Sequence, residues 1–109
     1  MMSLPQSRIG PLLDADCVGR AGNPLCGDVV TVYLRLKGDR VEAARFEARG
    51  CAALLAAAHA LSDAVEGRTM MEALRVDVGS LVGRIPEYPR SATACANLAR
   101  EALHRALKA

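Results

Sequence analysis

The sequence predicts an α+β fold, a small three-stranded antiparallel sheet followed by packed helices. Apolar residues alternate with period two between Val29 and Arg49, and at Gly50-Cys51 the period becomes that of a helix. Composition points the same way. Twenty residues are alanine and only Tyr33, Phe46 and Tyr88 are aromatic, so the core is built from small side chains packed closely, mostly in helices. Strands first and helices afterwards is the order of an α+β chain, not of repeated βαβ units.

Each element follows from its own residues. Segment 1–13, broken by Pro5, Gly10 and Pro11, reads as a mobile start, and 14–109 reads as one domain. Between Asp14 and Gly27 the chain is rich in Gly, Pro and Asn, mostly loop with a short strand near Cys17 to Ala21. From Val29 to Leu36, Val30, Val32, Leu34 and Leu36 share one face, the pattern of a half-buried strand. Lys37-Gly38-Asp39-Arg40 is a hairpin turn. Val41 to Arg49 continues as a strand, with Ala44, Phe46 and Ala48 on one face. Val41 is out of phase with that set, which places a bulge near Ala43. Cys51 to Val65 is a helix with the stripe Cys51, Leu54, Leu55, Ala58, Leu61, Val65, ended by Gly67. Thr69-Met70-Met71-Glu72 matches a capping box and opens a short helix. Asp77 to Ile85 is a third helical segment, Pro86 and Pro89 bracket a loop, and a last helix runs from about Ala92 to Leu107.

Composition excludes several classes of function. The net charge is +2, with no basic stripe and almost no aromatic residues on which bases could stack, so nucleic acid is not an expected partner. No apolar run approaches the roughly 18–20 residues that span a membrane. Met1 to Ile9 holds no apolar core of a secretory signal. The expected location is the cytoplasm, where four cysteines are thiols or metal ligands, not disulfides.

The cysteines are Cys17, Cys26, Cys51 and Cys95, with 8, 24 and 43 residues between successive ones. No pair is CxxC, which excludes a thioredoxin-type redox motif and an ordinary zinc ribbon. Cys51 and Cys95 each fall at the first turn of a predicted helix, where unpaired N–H groups favour a thiolate. Cys26 lies in the tight turn Pro24-Leu25-Cys26-Gly27-Asp28, and Asp28 adds a carboxylate on the same loop. Three thiolates and one carboxylate can complete a site for a thiophilic metal or an iron–sulfur cluster. The plainer role for a cysteine is that of a small hydrophobe, and the apolar stripes under Cys51 and Cys95 favour it; a Pro/Gly loop is a poor place for a core residue, which sets Cys26 apart. His59 and His104 stand about 12 and 13 Å along their helices from Cys51 and Cys95, too far for either to be the base for the cysteine on its own helix, and nothing local in the sequence supports a pair between helices. His59 reads as a helix-surface or rim residue.

Gly22-Asn23-Pro24-Leu25-Cys26-Gly27-Asp28-Val29-Val30, Ala44-Arg45-Phe46 leading to Gly50-Cys51-Ala52, and Glu66-Gly67-Arg68-Thr69 with Glu72-Ala73-Leu74 resemble the NifU/IscU-like iron–sulfur cluster assembly scaffold family. The likeness continues through Cys95, Leu98 and Glu101-Ala102-Leu103. It implies the same α+β fold, three ligand cysteines (Cys26, Cys51 and Cys95) and Asp28 as an additional or labilising ligand. It further implies sulfur accepted from a cysteine desulfurase, a transient [2Fe–2S] cluster, and delivery to recipient apo-proteins. Three departures bear on this. Ala94 stands where the family usually has a histidine. Ile85-Pro86-Glu87-Tyr88-Pro89-Arg90 replaces the usual Leu-Pro-Pro-Val-Lys, so recognition by a dedicated Hsp70 chaperone does not carry over. The family's N-terminal helix is absent or cut short. A residue other than histidine before the third cysteine also occurs in the SufU-like branch, which binds zinc and relays persulfide sulfur, although that branch usually carries an insertion that the 43-residue spacing leaves no room for. The leading expectation is a cluster scaffold rather than an enzyme. The alternatives are a zinc-bound sulfur acceptor, which would be a sulfurtransferase, and a relative whose zinc only stabilises the fold.

Overall fold

The computed structural model describes residues 9–23 and 27–108. Three strands, β1 (Cys17–Asn23), β2 (Asp28–Lys37) and β3 (Arg40–Arg49), are followed by α1 (Ala52–Val65), α2 (Met70–Leu74), α3 (Val78–Gly83), a 3₁₀ turn (Arg90–Ala92) and α4 (Thr93–Leu107). The sheet is antiparallel in the order β1-β2-β3. The α+β expectation therefore holds, strand by strand and helix by helix. The first strand is longer than its sequence suggests: β1 takes seven residues from a stretch rich in loop formers.

Alternation decides which face of the sheet is covered. Val30, Val32, Leu34, Ala44 and Phe46 are all at most 3% exposed. Arg35 pairs with Ala43 and Leu36 with Val41, so Glu42 is the extra residue of a bulge, one position from where the phase break predicted it. The bulge returns Val41 to the buried face, at 0% exposure. At the edge of β3, Ile9 forms a parallel bridge with Phe46, and the Gly10 N–H donates to the Phe46 carbonyl at 2.8 Å. That anchors the end of segment 1–13; residues 1–8 lie outside the described residues.

The alanines explain how the helices sit. Gly19 on β1 faces α4 so closely that a Cβ there would stand 2.1 Å from the Ala102 carbonyl oxygen and 2.2 Å from the Ala106 nitrogen. Ala99, Ala102 and Ala106 are fully buried along that contact. Larger residues on either side would hold the helix off the sheet. α1 packs across β3 through Leu54, Ala57, Ala58, Leu61 and Val65. Its end is tied back to the sheet: the Gly67 N–H donates to the Val41 carbonyl and the Val41 N–H to the Arg68 carbonyl, both at 2.8 Å. Gly67 adopts φ +87°, the left-handed conformation of a residue just past a helix end. The capping box is present: Thr69 Oγ1 accepts from the Glu72 N–H and Glu72 Oε1 accepts from the Thr69 N–H. Such a cap contributes about 1 kcal/mol.

Two of the boundaries that differ from the sequence reading concern the site. Asp28 is not a loop residue; it opens β2, paired with Asn23. Cys51 is not inside a helix; it is the N-cap residue of α1, with extended backbone at φ −76° and ψ 166°. An N-cap residue has left the helical conformation while its carbonyl already accepts the first helical bond. The Leu55 N–H donates to the Cys51 carbonyl at 3.3 Å.

Candidate metal centre

The start of β2, the exit from β3 and the starts of α1 and α4 meet at one end of the fold. β3 ends at Arg49, which pairs with Val29, the neighbour of Asp28. Gly50 follows with φ +152°. A Cβ on Gly50 would stand 2.6 Å from Asp28 Oδ1 and 2.9 Å from Leu54 Cδ2. Glycine is therefore what lets the Asp28 carboxylate lie against the chain leading into Cys51. Cys95 occupies the third position of α4.

The donor atoms converge. Cys51 Sγ and Cys95 Sγ are 3.6 Å apart. The Cys95 thiol donates to Asp28 Oδ2 across 3.9 Å. All three donor atoms lie within 4.8 Å of one another. Two ligands roughly 2.3 Å from a tetrahedral ion are separated by about 3.7 Å, so the spacing matches what a soft metal requires. Two sulfurs and one carboxylate oxygen suit zinc or an iron–sulfur centre and are a poor shell for magnesium or calcium. Among the described residues this is the one such set of His, Cys, Asp or Glu donors.

The two thiols are electrostatically unequal. The Cys51 pKa is lowered, first by the Leu54 backbone N–H at the helix start, then by Cys95, with a weaker contribution from the Ala53 N–H. The contact falls short of a regular cap hydrogen bond. Its effect is nonetheless the expected one for a sulfur facing the first amides of a helix. The Cys95 thiol is pushed up to about 11, by burial first and by the neighbouring Cys51 next. Cys51 is exposed, whereas Cys95 and Asp28 are half-buried.

Of the four candidate ligands, the structure brings together Asp28, Cys51 and Cys95. Cys26 lies outside the described residues. Cys17 is buried in the core and pairs with Leu34, six residues along β2 from Asp28. That is about 20 Å at 3.3 Å per residue, too far to share a centre. His59 is half-buried, with its ring edge-on to Phe46 at 6.5 Å. His104 is half-buried on α4, its pKa lowered by burial and then by Arg100 and Lys108. Neither histidine joins the cluster.

Tyr88 is the neighbour that sequence reasoning missed. Its hydroxyl donates to the Ala53 carbonyl at 3.0 Å, bracing the first turn of α1. Its pKa is raised by burial, then by the charges of Cys95 and Cys51. The available signal was an aromatic residue between Pro86 and Pro89 in a chain with three aromatics. No helix among the described residues is long and apolar enough to cross a membrane.

Comparison with known proteins places this geometry in context. The family model described as NifU-like N terminal domain matches residues 2–109. The iron-sulfur cluster assembly scaffold protein IscU 1 of Archaeoglobus fulgidus is 37% identical over 99 residues, which cover 91% of this chain and 65% of that protein. The zinc-dependent sulfurtransferase SufU of Bacillus subtilis is 36% identical over 63 residues, 58% of this chain and 43% of that one. Among solved structures, a putative iron-sulfur cluster assembly scaffold protein for the SUF system from Fervidobacterium islandicum superposes with a TM-score of 0.77 at 27% identity, covering 94% of this chain and 88% of that chain. The chain thus spans just under two thirds of the length of the Archaeoglobus scaffold protein.

Proposed function

The chain belongs to the NifU-like N-terminal domain family, and we propose that it is a scaffold on which a transient [2Fe–2S] cluster is assembled and then released to apo-proteins. The observation that carries this reading is the convergence of Cys51, Cys95 and Asp28. In it, Cys26, Cys51 and Cys95 supply thiolates to the iron, and Asp28 supplies a carboxylate. Cys26 stands two residues before Asp28 in the chain. The partners on this reading are a cysteine desulfurase that supplies sulfur and the recipient apo-proteins. The free thiols suit a reducing compartment, the cytoplasm.

The residues divide the work. Cys51 is exposed at the rim, where sulfur can reach it. Cys95 and Asp28 form the inner wall. A carboxylate is a harder and weaker ligand for iron–sulfur centres than a thiolate, so Asp28 keeps the cargo exchangeable. Ala94 leaves no imidazole beside Cys95 to take its place.

A second reading is a zinc-bound sulfur acceptor. It is favoured by the 3.6 and 3.9 Å spacings, which suit a single tetrahedral ion, and by the similarity to the zinc-dependent sulfurtransferase. Metal analysis after purification with iron and sulfide supplied separates the two. Paired iron and acid-labile sulfide, with visible absorbance, supports the scaffold. Stoichiometric zinc that iron does not displace, together with stimulation of a desulfurase, supports the acceptor.

A further inference from the structure

A cluster contains sulfide, whereas sulfur carried on a cysteine as a persulfide is at the sulfane level and needs two electrons to become sulfide. The site holds a group that can supply them. Cys51 and Cys95 face each other at 3.6 Å. A disulfide needs about 2.05 Å, so closure requires a shift of under 2 Å. Cys51 lies outside α1 and directly after Gly50, where the backbone is not held by helical bonds on both sides. Cys51 is exposed and Cys95 is half-buried behind it, so sulfur arriving from solvent meets Cys51 first. An outer sulfur on Cys51 that extends toward solvent leaves its inner sulfur open to Cys95 from the opposite side, the in-line arrangement that thiol–disulfide exchange requires.

We propose that Cys51 and Cys95 form a reducing pair that converts a sulfane sulfur delivered to Cys51 into hydrosulfide at the site. The proposal rests on the sulfur-accepting role argued above. In the step, the Cys95 sulfur bonds to the inner sulfur of the Cys51 persulfide. The bond between inner and outer sulfur breaks, and its electron pair leaves with the outer sulfur. The Cys95 proton passes to Asp28 Oδ2 as that sulfur attacks and from there to water, and the departing sulfur takes a proton from water to leave as hydrosulfide. Two cysteines are oxidised to one disulfide and one sulfane sulfur is reduced to hydrosulfide, so the step needs no other reductant. A dithiol reductant returns the pair to thiols for the next round.

The test uses the whole chain, stripped of metal by a chelator, reduced, desalted and held without oxygen. Glutathione persulfide is the sulfur donor. Released sulfide is measured with time, and the chain is followed by intact mass and peptide mapping. The expected result is a burst of about one sulfide per chain, with loss of two hydrogens in mass and a Cys51–Cys95 linked peptide. Cys95→Ser and Cys95→Ala lose the burst and instead retain one extra sulfur on Cys51. The proposal is overturned if the unmodified chain keeps the extra sulfur without forming the linked peptide, or if both Cys95 variants release sulfide as fast as it does. A chain that takes up no sulfur on any cysteine overturns this step together with the sulfur-accepting role. Uptake without a linked peptide overturns this step alone.

Discussion

The side chain that Gly50 lacks would stand 2.6 Å from Asp28 Oδ1. Gly50 also holds φ +152°, a conformation that costs other residues about 1–3 kcal/mol. Gly50→Ala is therefore expected to push the carboxylate out of the cluster. Affinity of the site for a single zinc ion, as distinct from the lifetime of an assembled cluster, should fall by roughly 10–100-fold, as when a group that positions a ligand is lost. Competition with a chromogenic chelator measures it. In the Asp28→Ala background the same change should add little, because the carboxylate it displaces is already gone.

Asp28→Ala should give a cluster that survives longer in air and passes more slowly to an apo-ferredoxin, because the labile ligand has been removed. Decay of visible absorbance after reconstitution reads survival, and circular dichroism reads transfer. Failure of the variant to hold any metal would instead make Asp28 an obligatory fourth ligand and put the zinc-bound reading first.

Cys17→Ser should leave metal stoichiometry unchanged, while Cys26→Ser, Cys51→Ser and Cys95→Ser each lower it. Cys17 is 9% exposed within the core cluster. A hydroxyl placed there without a partner should cost about 1–3 kcal/mol of stability. Denaturant midpoints and elemental analysis of the same samples separate the two effects.

In the metal-free chain the two thiols should ionise on opposite sides of the ordinary thiol value. The first amides of α1 favour the Cys51 thiolate, so iodoacetamide should modify Cys51 well before Cys95 near neutral pH. Cys95 should react freely only as pH approaches about 11. The folded chain holds the Cys95 proton more tightly than the unfolded chain does. Its contribution to stability is thus complete below the ordinary thiol value of 9.0 and is lost as pH rises toward about 11. Thermal unfolding at stepped pH reads that loss.

Gly19→Ala should destabilise the fold without acting on the site. Its new methyl group would stand 2.1 Å from the Ala102 carbonyl oxygen, against helix backbone that has no rotamer to change. Overpacking of this kind costs about 1–3 kcal/mol and occasionally more. A lower denaturant midpoint with unchanged metal stoichiometry is the expected outcome.

Local features were legible in the sequence because their causes are local. The alternation of Val30, Val32 and Leu34 names the buried face of β2, Val41 announces its bulge by being out of phase, and Thr69 with Glu72 writes its own cap. The family resemblance likewise named Cys26, Asp28, Cys51 and Cys95 as a set, of which Cys26 lies outside the described residues. Distances between segments were not legible. Cys51 and Cys95 are 44 positions apart, and their 3.6 Å contact depends on how α1 and α4 both pack on the sheet. Alanine-rich stripes permit that packing without specifying its depth. The roles of Gly50 and Tyr88 were hidden for the same reason. One is defined by the space it leaves for Asp28, the other by a carbonyl 35 residues away at Ala53, and both come into being only when strand register and helix packing close around them.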